Sequence, residues 1–196
     1  FNHMDRIVFA GDSVTDMESA QPVGEGLFEN VGKSYVRIVE NMLAAFYPEI
    51  YLRVTNSGIS GNTSRDLLQR FDRDVVSLKP DWVSICIGIN VEKMILSVKD
   101  NVKGVFLMTP YYMEPNAEDW MRKRMDTYGA ICRELAEKYG CCFIDLQAVF
   151  NDYFQYRHSS YIAWDRIHPN QIGATVIARA FLEKCGFDYN HRPERA

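Results

Sequence analysis

The run Arg6-Ile7-Val8-Phe9-Ala10, followed at once by Gly11-Asp12-Ser13, sets the fold of this chain. The four residues after Arg6 are all apolar, which is typical of a strand that is buried on both faces. Comparable short runs recur and end in turn or polar residues, and they predict about five strands: Arg6-Ala10, Tyr51-Thr55, Trp82-Ile87, Gly104-Met108 and Cys142-Asp145.

Stretches with helical periodicity separate these strands: 32–46, a segment around 65–77, 92–99, 117–139 and 171–184, the last with Gly186 as its stop. Parallel neighbouring strands need a crossover connection, and helices usually provide it. The alternation therefore predicts an α/β fold, a three-layer α/β/α sandwich around a parallel sheet. With 196 residues, 47% of them hydrophobic, residues 1–196 are expected to form a single domain.

The charge of the chain limits its partners. A formal net charge of -4 and a pI near 5.6 provide no strong basic field, which argues against nucleic acid and against a polyanionic substrate. No apolar run approaches the roughly 20 residues that span a bilayer, so no membrane association is expected. Residues 1–3 resemble the remnant of an expression tag before Met4, and no leader peptide is predicted.

The five cysteines are odd in number and lack metal-type spacing, so no metal site is predicted: Cys86, Cys132, Cys141, Cys142 and Cys185. Buried thiols and an absent leader suit a reducing, cytoplasmic location. A cysteine nucleophile stays open as a minor alternative.

In parallel α/β sheets, ligands bind at the carboxyl ends of the strands. Ser13 stands directly after the first predicted strand and is well placed to act as a nucleophile. The Asp-Ser pair could equally cap a helix, because both side chains accept hydrogen bonds from free N–H groups at helix starts. The segment alone leaves these two interpretations balanced.

A second segment, Trp164-Asp165-Arg166-Ile167-His168-Pro169, precedes the last helix. Pro169 disfavours the helical conformation for His168, and Asp165 can fold back to orient the imidazole. A buried structural histidine paired with a carboxylate is the alternative. His158, in a polar loop with no carboxylate within a turn of it, is the weaker candidate for a catalytic base.

Two more loops after strands offer hydrogen-bond donors for an oxyanion. Gly58 lies in Asn56-Ser57-Gly58-Ile59-Ser60-Gly61-Asn62, and its missing Cβ would let the N–H approach a substrate closely. Asn90 ends Gly88-Ile89-Asn90 and presents an amide. Ordinary turn chemistry explains either loop in isolation.

These four blocks, in this order, resemble the SGNH (GDSL) hydrolase superfamily over nearly the whole chain. The resemblance implies a flavodoxin-like SGNH hydrolase fold and an acyl-enzyme mechanism that needs no cofactor. It implies Ser13 as nucleophile, His168 as base and Asp165 as its partner. The implied oxyanion donors are the N–H groups of Ser13 and Gly58 and the side chain of Asn90.

Longer stretches are similar to intracellular bacterial acetyl xylan esterases: 22–26, 79–84, 107–112 and 164–169. Such enzymes remove acetyl groups from xylo-oligosaccharides and form homo-oligomers, so both properties are expected here. The large groups at the same sheet edge would then contact substrate, together with Asp12: Tyr111, Tyr112 and Trp164. Core or subunit-interface roles for these aromatic residues are equally open.

The chain departs from the family after Asn90, where Val91 replaces the usual aspartate, and it has Gly173-Ala174 where the family often has a histidine after the glycine. Only about a dozen residues join Asn90 to the next strand, so either the crossover is short or a loop of about 15–30 residues belongs there.

Two other functions stay open: a lysophospholipase or thioesterase of the GDSL lipase type, and a catalytically silent sugar-binding module.

Overall fold

A computed structural model describes residues 1–26, 28–88 and 90–193 of the chain. Six strands form one sheet in the spatial order β2-β3-β1-β4-β5-β6. The strands are β1 (Arg6–Gly11), β2 (Gly24–Glu25), β3 (Arg53–Gly58), β4 (Trp82–Cys86), β5 (Gly104–Met108) and β6 (Cys142–Ile144). Five of them are parallel, as the apolar runs predicted, and the two-residue β2 pairs antiparallel with β3 at one edge.

The second parallel strand lies further along the chain than the predicted 51–55. β3 pairs with β1 from Arg6 opposite Arg53 to Gly11 opposite Gly58. Its polar residues Asn56 and Ser57 are fully buried. The Asn56 amide donates to Thr15 O at 2.7 Å and to Val31 O at 2.8 Å. A polar residue that looks like the end of a strand is thus a satisfied member of it.

Helices flank the sheet: α1 (Ser13–Asp16), α2 (Tyr35–Phe46), α3 (Ser64–Asp74), α4 (Glu92–Val98), α5 (Trp120–Tyr139), α6 (Leu146–Phe154) and α7 (Gln171–Lys184). The bounds of α7 match the prediction, whereas α6 was not predicted. Asp145, expected to end a strand, instead caps α6 by accepting a hydrogen bond from Ala148 N at 3.0 Å.

Alternate residues of β1 divide the core into two layers, which confirms the three-layer sandwich. Ile7 and Phe9 face the layer that includes α2 and α7, where the Phe9 and Phe181 rings lie 5.0 Å apart. Val8 and Ala10 face the layer built from α3, α4 and α5. All four side chains are fully buried, so β1 is held from both sides up to the point where it ends.

The topology places a crevice at the end of β1. The chain leaves β1 for its neighbour β3 on one side and later returns to β4 on the other side. Connections that leave a strand in opposite directions open a crevice at its carboxyl end, where α/β proteins bind their ligands. Residues 11–16 and 58–62, together with Gly88 and Asn90, all lie at this edge.

The connection from β4 to β5 is short. Val91 is the N-cap residue of the seven-residue helix α4, and its backbone carbonyl accepts the first hydrogen bond, from Ile95 N, at 3.0 Å. The loop of about 15–30 residues between Asn90 and Val91 stays a prediction. Ile89 lies outside the described residues.

Candidate active site

A tight turn at the end of β1 presents Ser13. Asp12 caps the four-residue helix α1 by accepting a hydrogen bond from Val14 N at 3.0 Å. The capping role therefore belongs to Asp12 and leaves the Ser13 hydroxyl free for other partners. Gly11 is required at the start of the turn, because a Cβ there would lie 2.2 Å from Thr15 Oγ1 and 2.7 Å from the Cys86 carbonyl oxygen.

The structure brings together three side chains that are distant in sequence. Ser13 Oγ lies 2.8 Å from His168 Nε2, across 155 positions of the chain. His168 Nδ1 lies 2.5 Å from Asp165 Oδ2. One ring nitrogen thus contacts the hydroxyl and the other contacts the carboxylate, which is the arrangement of a nucleophile, a general base and an orienting acid.

Asp165 is held as an anion. Desolvation opposes its ionisation, but hydrogen bonds from the His168 ring and from the His168 and Ile167 backbone N–H groups lower the pKa of its carboxyl to about 2. The two backbone bonds end on Oδ1, at 2.8 Å and 2.9 Å. The carboxylate is therefore fixed by its own loop before it meets the imidazole.

The segment after β5 supports the loop that carries Asp165 and His168. The buried Tyr111 donates its hydroxyl to Ile167 O at 3.1 Å, and Met113 N donates to Arg166 O at 2.9 Å. Arg166, at a φ of +65°, forms an ion pair of 2.8 Å with Glu114. These contacts hold a loop that makes no helix or strand of its own.

The N–H groups near Ser13 differ in their availability. Among the described residues, the Ser13 N–H has no hydrogen-bond acceptor. The Gly58 N–H, expected to be an oxyanion donor, instead donates to the Asn56 side chain at 2.8 Å in a buried setting. Gly58 is required for packing, because a Cβ would lie 2.4 Å from Asp16 N. This geometry does not support Gly58 as a donor to substrate.

The neighbouring Gly61 has the free N–H that Gly58 lacks. It lies in residues 59–62, here called the donor loop, with a φ of +80°, and a Cβ at this position would have no atom within 4 Å. Within the described chain its N–H has no acceptor. Gly61 was not among the residues predicted from the sequence, since both glycines occur in one loop and only the structure shows which amide is occupied.

Asn90 lies in the same crevice as the serine turn. It is exposed, has a φ of +69°, and its side chain makes no hydrogen bond to the part of the chain that the structure describes. A shallow cavity contains it together with Asp12, Asn62 and Tyr128. The structure thus brings this amide near the nucleophile turn with its donors unused.

The four predicted substrate residues occupy different environments. Asp12 and Tyr112 line an apolar cavity of about 230 Å³ that also includes Cys86 and Met125. Tyr111 lines it too, but its hydroxyl is committed to Ile167. Trp164, directly before Asp165, is 96% exposed. Burial raises the pKa of Asp12 above its ordinary value.

Other nucleophiles and bases are less suitable. Burial raises the pKa of the Cys86 thiol well above its usual range and that of Cys132 to about 12. His158 hydrogen-bonds to Ser160 and caps a short turn. His191 pairs with Glu49 at 2.7 Å, remote from the crevice. The thiolate that a cysteine nucleophile requires is therefore disfavoured.

Neither a metal cluster nor a membrane span occurs in residues 1–26, 28–88 and 90–193. No group of three or more His, Cys, Asp or Glu residues in these ranges could hold a metal ion. None of the helices there has the length and apolar character needed to cross a membrane.

Solved structures share this fold closely. The acetylxylan esterase Axe2 from Geobacillus stearothermophilus superposes with a TM-score of 0.93 at 42% sequence identity, covering 95% of this chain and 96% of Axe2. A catalytic serine-to-alanine mutant of Axe2 gives a TM-score of 0.95, with 99% of each chain covered. LAE5, an alpha/beta hydrolase from the metagenome of Lake Arreo, gives 0.92 at 41% identity, covering 95% of this chain and 97% of LAE5.

Sequence comparison agrees with the structures. A curated acetylxylan esterase from Geobacillus stearothermophilus is 42% identical over 209 residues, which cover 94% of this chain and 95% of that enzyme. The model of the GDSL-like Lipase/Acylhydrolase family matches residues 9–176. The chain therefore belongs to this family and is a carboxylic ester hydrolase.

Proposed function

We propose that this protein hydrolyses O-acetyl esters of carbohydrates, acetylated xylo-oligosaccharides in the first place, through an acyl-enzyme on Ser13. The observation that carries the proposal is the continuous contact from Ser13 Oγ through His168 to Asp165, at 2.8 Å and 2.5 Å. Axe2 and the curated relative, both acetylxylan esterases, support acetyl as the acyl group and a carbohydrate as the alcohol.

The first half-reaction uses both nitrogens of the imidazole. His168 Nε2 accepts the Ser13 proton as Oγ attacks the ester carbonyl, and Asp165 stabilises the imidazolium that forms. The proton then passes to the departing sugar oxygen, which leaves as an alcohol while the acetyl group stays on Ser13. Water, activated by the same nitrogen, attacks the acetyl-enzyme and releases acetate.

The developing oxyanion needs donors that are not already occupied. We assign this role to the N–H groups of Ser13 and Gly61 and to the side-chain amide of Asn90. Each lacks an acceptor among the described residues, whereas the Gly58 N–H is engaged by Asn56. Donors that are held in place before the reaction lower the barrier because they need no reorganisation in the transition state.

The exposure of the site suits a bulky, polar alcohol. The side chains of Asp165 and His168 are 51% and 53% exposed, and Trp164 beside them is almost fully exposed. An acetyl group carried on an oligosaccharide can approach such a site without the sugar entering the core. An exposed indole also offers an apolar face on which a sugar ring could stack.

A second acyl class is favoured by one observation. The cavity beside Asp12 is lined largely by apolar side chains, among them Val14, Tyr111 and Met125, and its volume of about 230 Å³ exceeds the needs of acetyl. A lysophospholipase or thioesterase would place its acyl chain there. Hydrolysis of p-nitrophenyl octanoate as fast as p-nitrophenyl acetate would support that class. Hydrolysis of p-nitrophenyl acetate alone would support acetyl specificity.

The decisive experiment measures acetate release from acetylated xylo-oligosaccharides by the wild-type protein, by Ser13→Ala and by Ser160→Ala. Ser160 is a suitable control, because its hydroxyl also lies within hydrogen-bonding distance of a histidine, 2.9 Å from His158 Nδ1. Release should be abolished only in Ser13→Ala. Acetate release by Ser13→Ala at the wild-type rate would overturn the proposal.

We further infer that residues 1–196 act as one domain, because α2 and α7, from opposite ends of the chain, pack on the same face of one sheet. Assembly into a homo-oligomer and a cytoplasmic location stay predictions from the resemblance and from cysteine usage. Sedimentation equilibrium of the purified protein would test the assembly.

A further inference from the structure

A buried cation lies beneath the donor loop. Arg70 of α3 is 7% exposed and reaches the carboxyl ends of two strands. It donates from Nη2 to the Gly11 carbonyl at 3.1 Å, from Nη1 to Ser57 Oγ at 3.1 Å, and from Nε to Asn62 Oδ1 at 2.6 Å. Its carboxylate partner, Asp74, lies 3.4 Å from Nη1. One guanidinium therefore joins β1, β3 and the donor loop.

Stability alone is a weak reason to place a cation here. Removing a charge from water is costly, and a carboxylate at 3.4 Å recovers only part of that cost. Most of the short contacts of Arg70 are to neutral oxygens instead. Hydrogen bonds from a charged donor are stronger and more directional than neutral ones, so this cation restricts the orientation of its acceptors.

The free amide of Gly61 lies between two anchored residues, and Arg70 holds one of them. On one side, Ser60 is tied through its N–H and hydroxyl to the carboxylate of Asp16, at 2.9 Å and 2.5 Å. On the other side, Asn62 is tied to Arg70 at 2.6 Å. Gly61 itself has no packing neighbour within 4 Å of its Cβ position. Its N–H direction is therefore determined by the two anchored residues.

Arg70 also acts on the nucleophile turn. The Gly11 carbonyl that it contacts is two residues before Ser13, and the same oxygen accepts Ile59 N at 3.2 Å. The start of the donor loop and the end of β1 thus meet at one oxygen, and Arg70 is its second donor. A shift of this carbonyl would move Ser13 and the donor loop relative to each other.

From this geometry we infer that Arg70 is a positioning residue for ester hydrolysis, holding the Gly61 N–H and the Ser13 turn in the arrangement that stabilises the oxyanion. The inference rests on the proposed function of Ser13 and Gly61. Arg70 contacts no reacting atom itself. Its loss should therefore weaken transition-state stabilisation and leave ground-state binding of the ester nearly unchanged.

The test compares Arg70→Gln, Arg70→Lys and Arg73→Gln with p-nitrophenyl acetate as substrate. Arg73 is the matched control, since it lies on the same helix and binds the same Asp74, at 2.6 Å, but its side chain is 71% exposed and contacts no part of the donor loop. We expect kcat to fall about 10- to 100-fold in Arg70→Gln at a KM within about threefold of wild type. Arg70→Lys should recover part of the loss, and Arg73→Gln should stay within about twofold.

Equal kcat values for Arg70→Gln and wild type would overturn the inference, as would a fall in kcat of equal size in Arg73→Gln. If Arg70→Gln does not fold, the Asn62→Ala variant provides the test instead. It removes only the hydrogen bond between Arg70 and the donor loop. A lower kcat at unchanged KM in that variant supports the inference, and an unchanged kcat overturns it. Failure of the wild type to release acetate from xylo-oligosaccharides would instead reject only the proposed substrate.

Discussion

Two serine–histidine pairs occur in the part of the chain that the structure describes, and only one has the surroundings of an active site. Ser13 Oγ lies 2.8 Å from His168 Nε2, and Ser160 Oγ lies 2.9 Å from His158 Nδ1. The second pair spans two positions of the chain and forms a local cap, in which the same Nδ1 lies 3.2 Å from Ser160 N. The first spans 155 positions and requires the whole sheet to bring it together.

The difference between the pairs lies in what orients the ring. His168 has Asp165 on its other nitrogen, whereas His158 has no carboxylate partner among the described residues. Ser13 also has unoccupied N–H donors nearby, and the 165–168 loop is held by Tyr111, Met113 and Glu114. A serine–histidine hydrogen bond therefore does not define a catalytic site by itself.

The largest expected effect comes from removing each histidine in turn. His168→Ala should lower kcat for p-nitrophenyl acetate by about 10⁴-fold or more, because the general base is lost. His158→Ala should leave kcat within about twofold of wild type. Steady-state kinetics of the two variants measure the contrast, and a comparable loss in both would remove the distinction between the pairs.

The next effect concerns the oxyanion donors that the second pair lacks. Asn90→Ala should reduce kcat by about 10²–10³-fold, with KM little changed, since one donor to the developing charge is missing. Asn101→Ala, on the connection after α4, provides a control in the same crossover. If Asn90→Ala retained wild-type kcat, the amide would have no part in the reaction.

A smaller effect should follow from loosening the loop that carries His168. Tyr111→Phe removes the hydrogen bond to Ile167 O, which is worth about 1 kcal/mol, so kcat should fall about fivefold. Tyr139→Phe is the control, because its hydroxyl bonds to Glu92 at 2.6 Å outside the crevice. Thermal melting of both variants separates general destabilisation from misplacement of the base, and equal kcat losses in the two would contradict this role for Tyr111.

The pH dependence should show whether the carboxylate that distinguishes the first pair, that of Asp165, stays charged during catalysis. Hydrogen bonds lower the pKa of Asp165 to about 2, so this carboxyl stays ionised above about pH 4 and loses its charge only in stronger acid. Protonation of Asp165 should therefore contribute nothing to the profile of kcat/KM above about pH 4. A limiting slope of about 2 on the acid side of a log(kcat/KM) profile above this pH would show that Asp165 loses its charge there, which would contradict its ionised state.

The three side chains that meet in the structure, Ser13, His168 and Asp165, could be proposed from the sequence because each of their segments follows a strand or precedes the last helix. Ser13 comes after an apolar run, and Pro169 separates His168 from α7. Local sequence patterns did not predict the secondary structure where tertiary contacts determine it. β2 is only two residues long, so it leaves no periodic signal, and the short run before Asp145 did not reveal that this residue starts α6.

The oxyanion donors show a different limit. Gly58 and Gly61 are equivalent as residues in a loop, and the choice between them depends on where the Asn56 side chain turns. The role of Arg70 likewise depends on which oxygens its buried guanidinium reaches. Such information is absent from residue type and spacing, because it arises only when β1, β3 and α3 pack together.

The central claim is that Ser13, His168 and Asp165 converge beside the free N–H groups of Ser13 and Gly61. A crystal structure of the protein inhibited with an organophosphonate tests it most directly. Phosphorus should be bonded to Ser13 Oγ, with the phosphoryl oxygen within about 3 Å of the Ser13 and Gly61 nitrogens and His168 still paired with Asp165. A phosphonate attached to another residue, or a phosphoryl oxygen that no donor contacts while His168 points away from Ser13, would contradict the account.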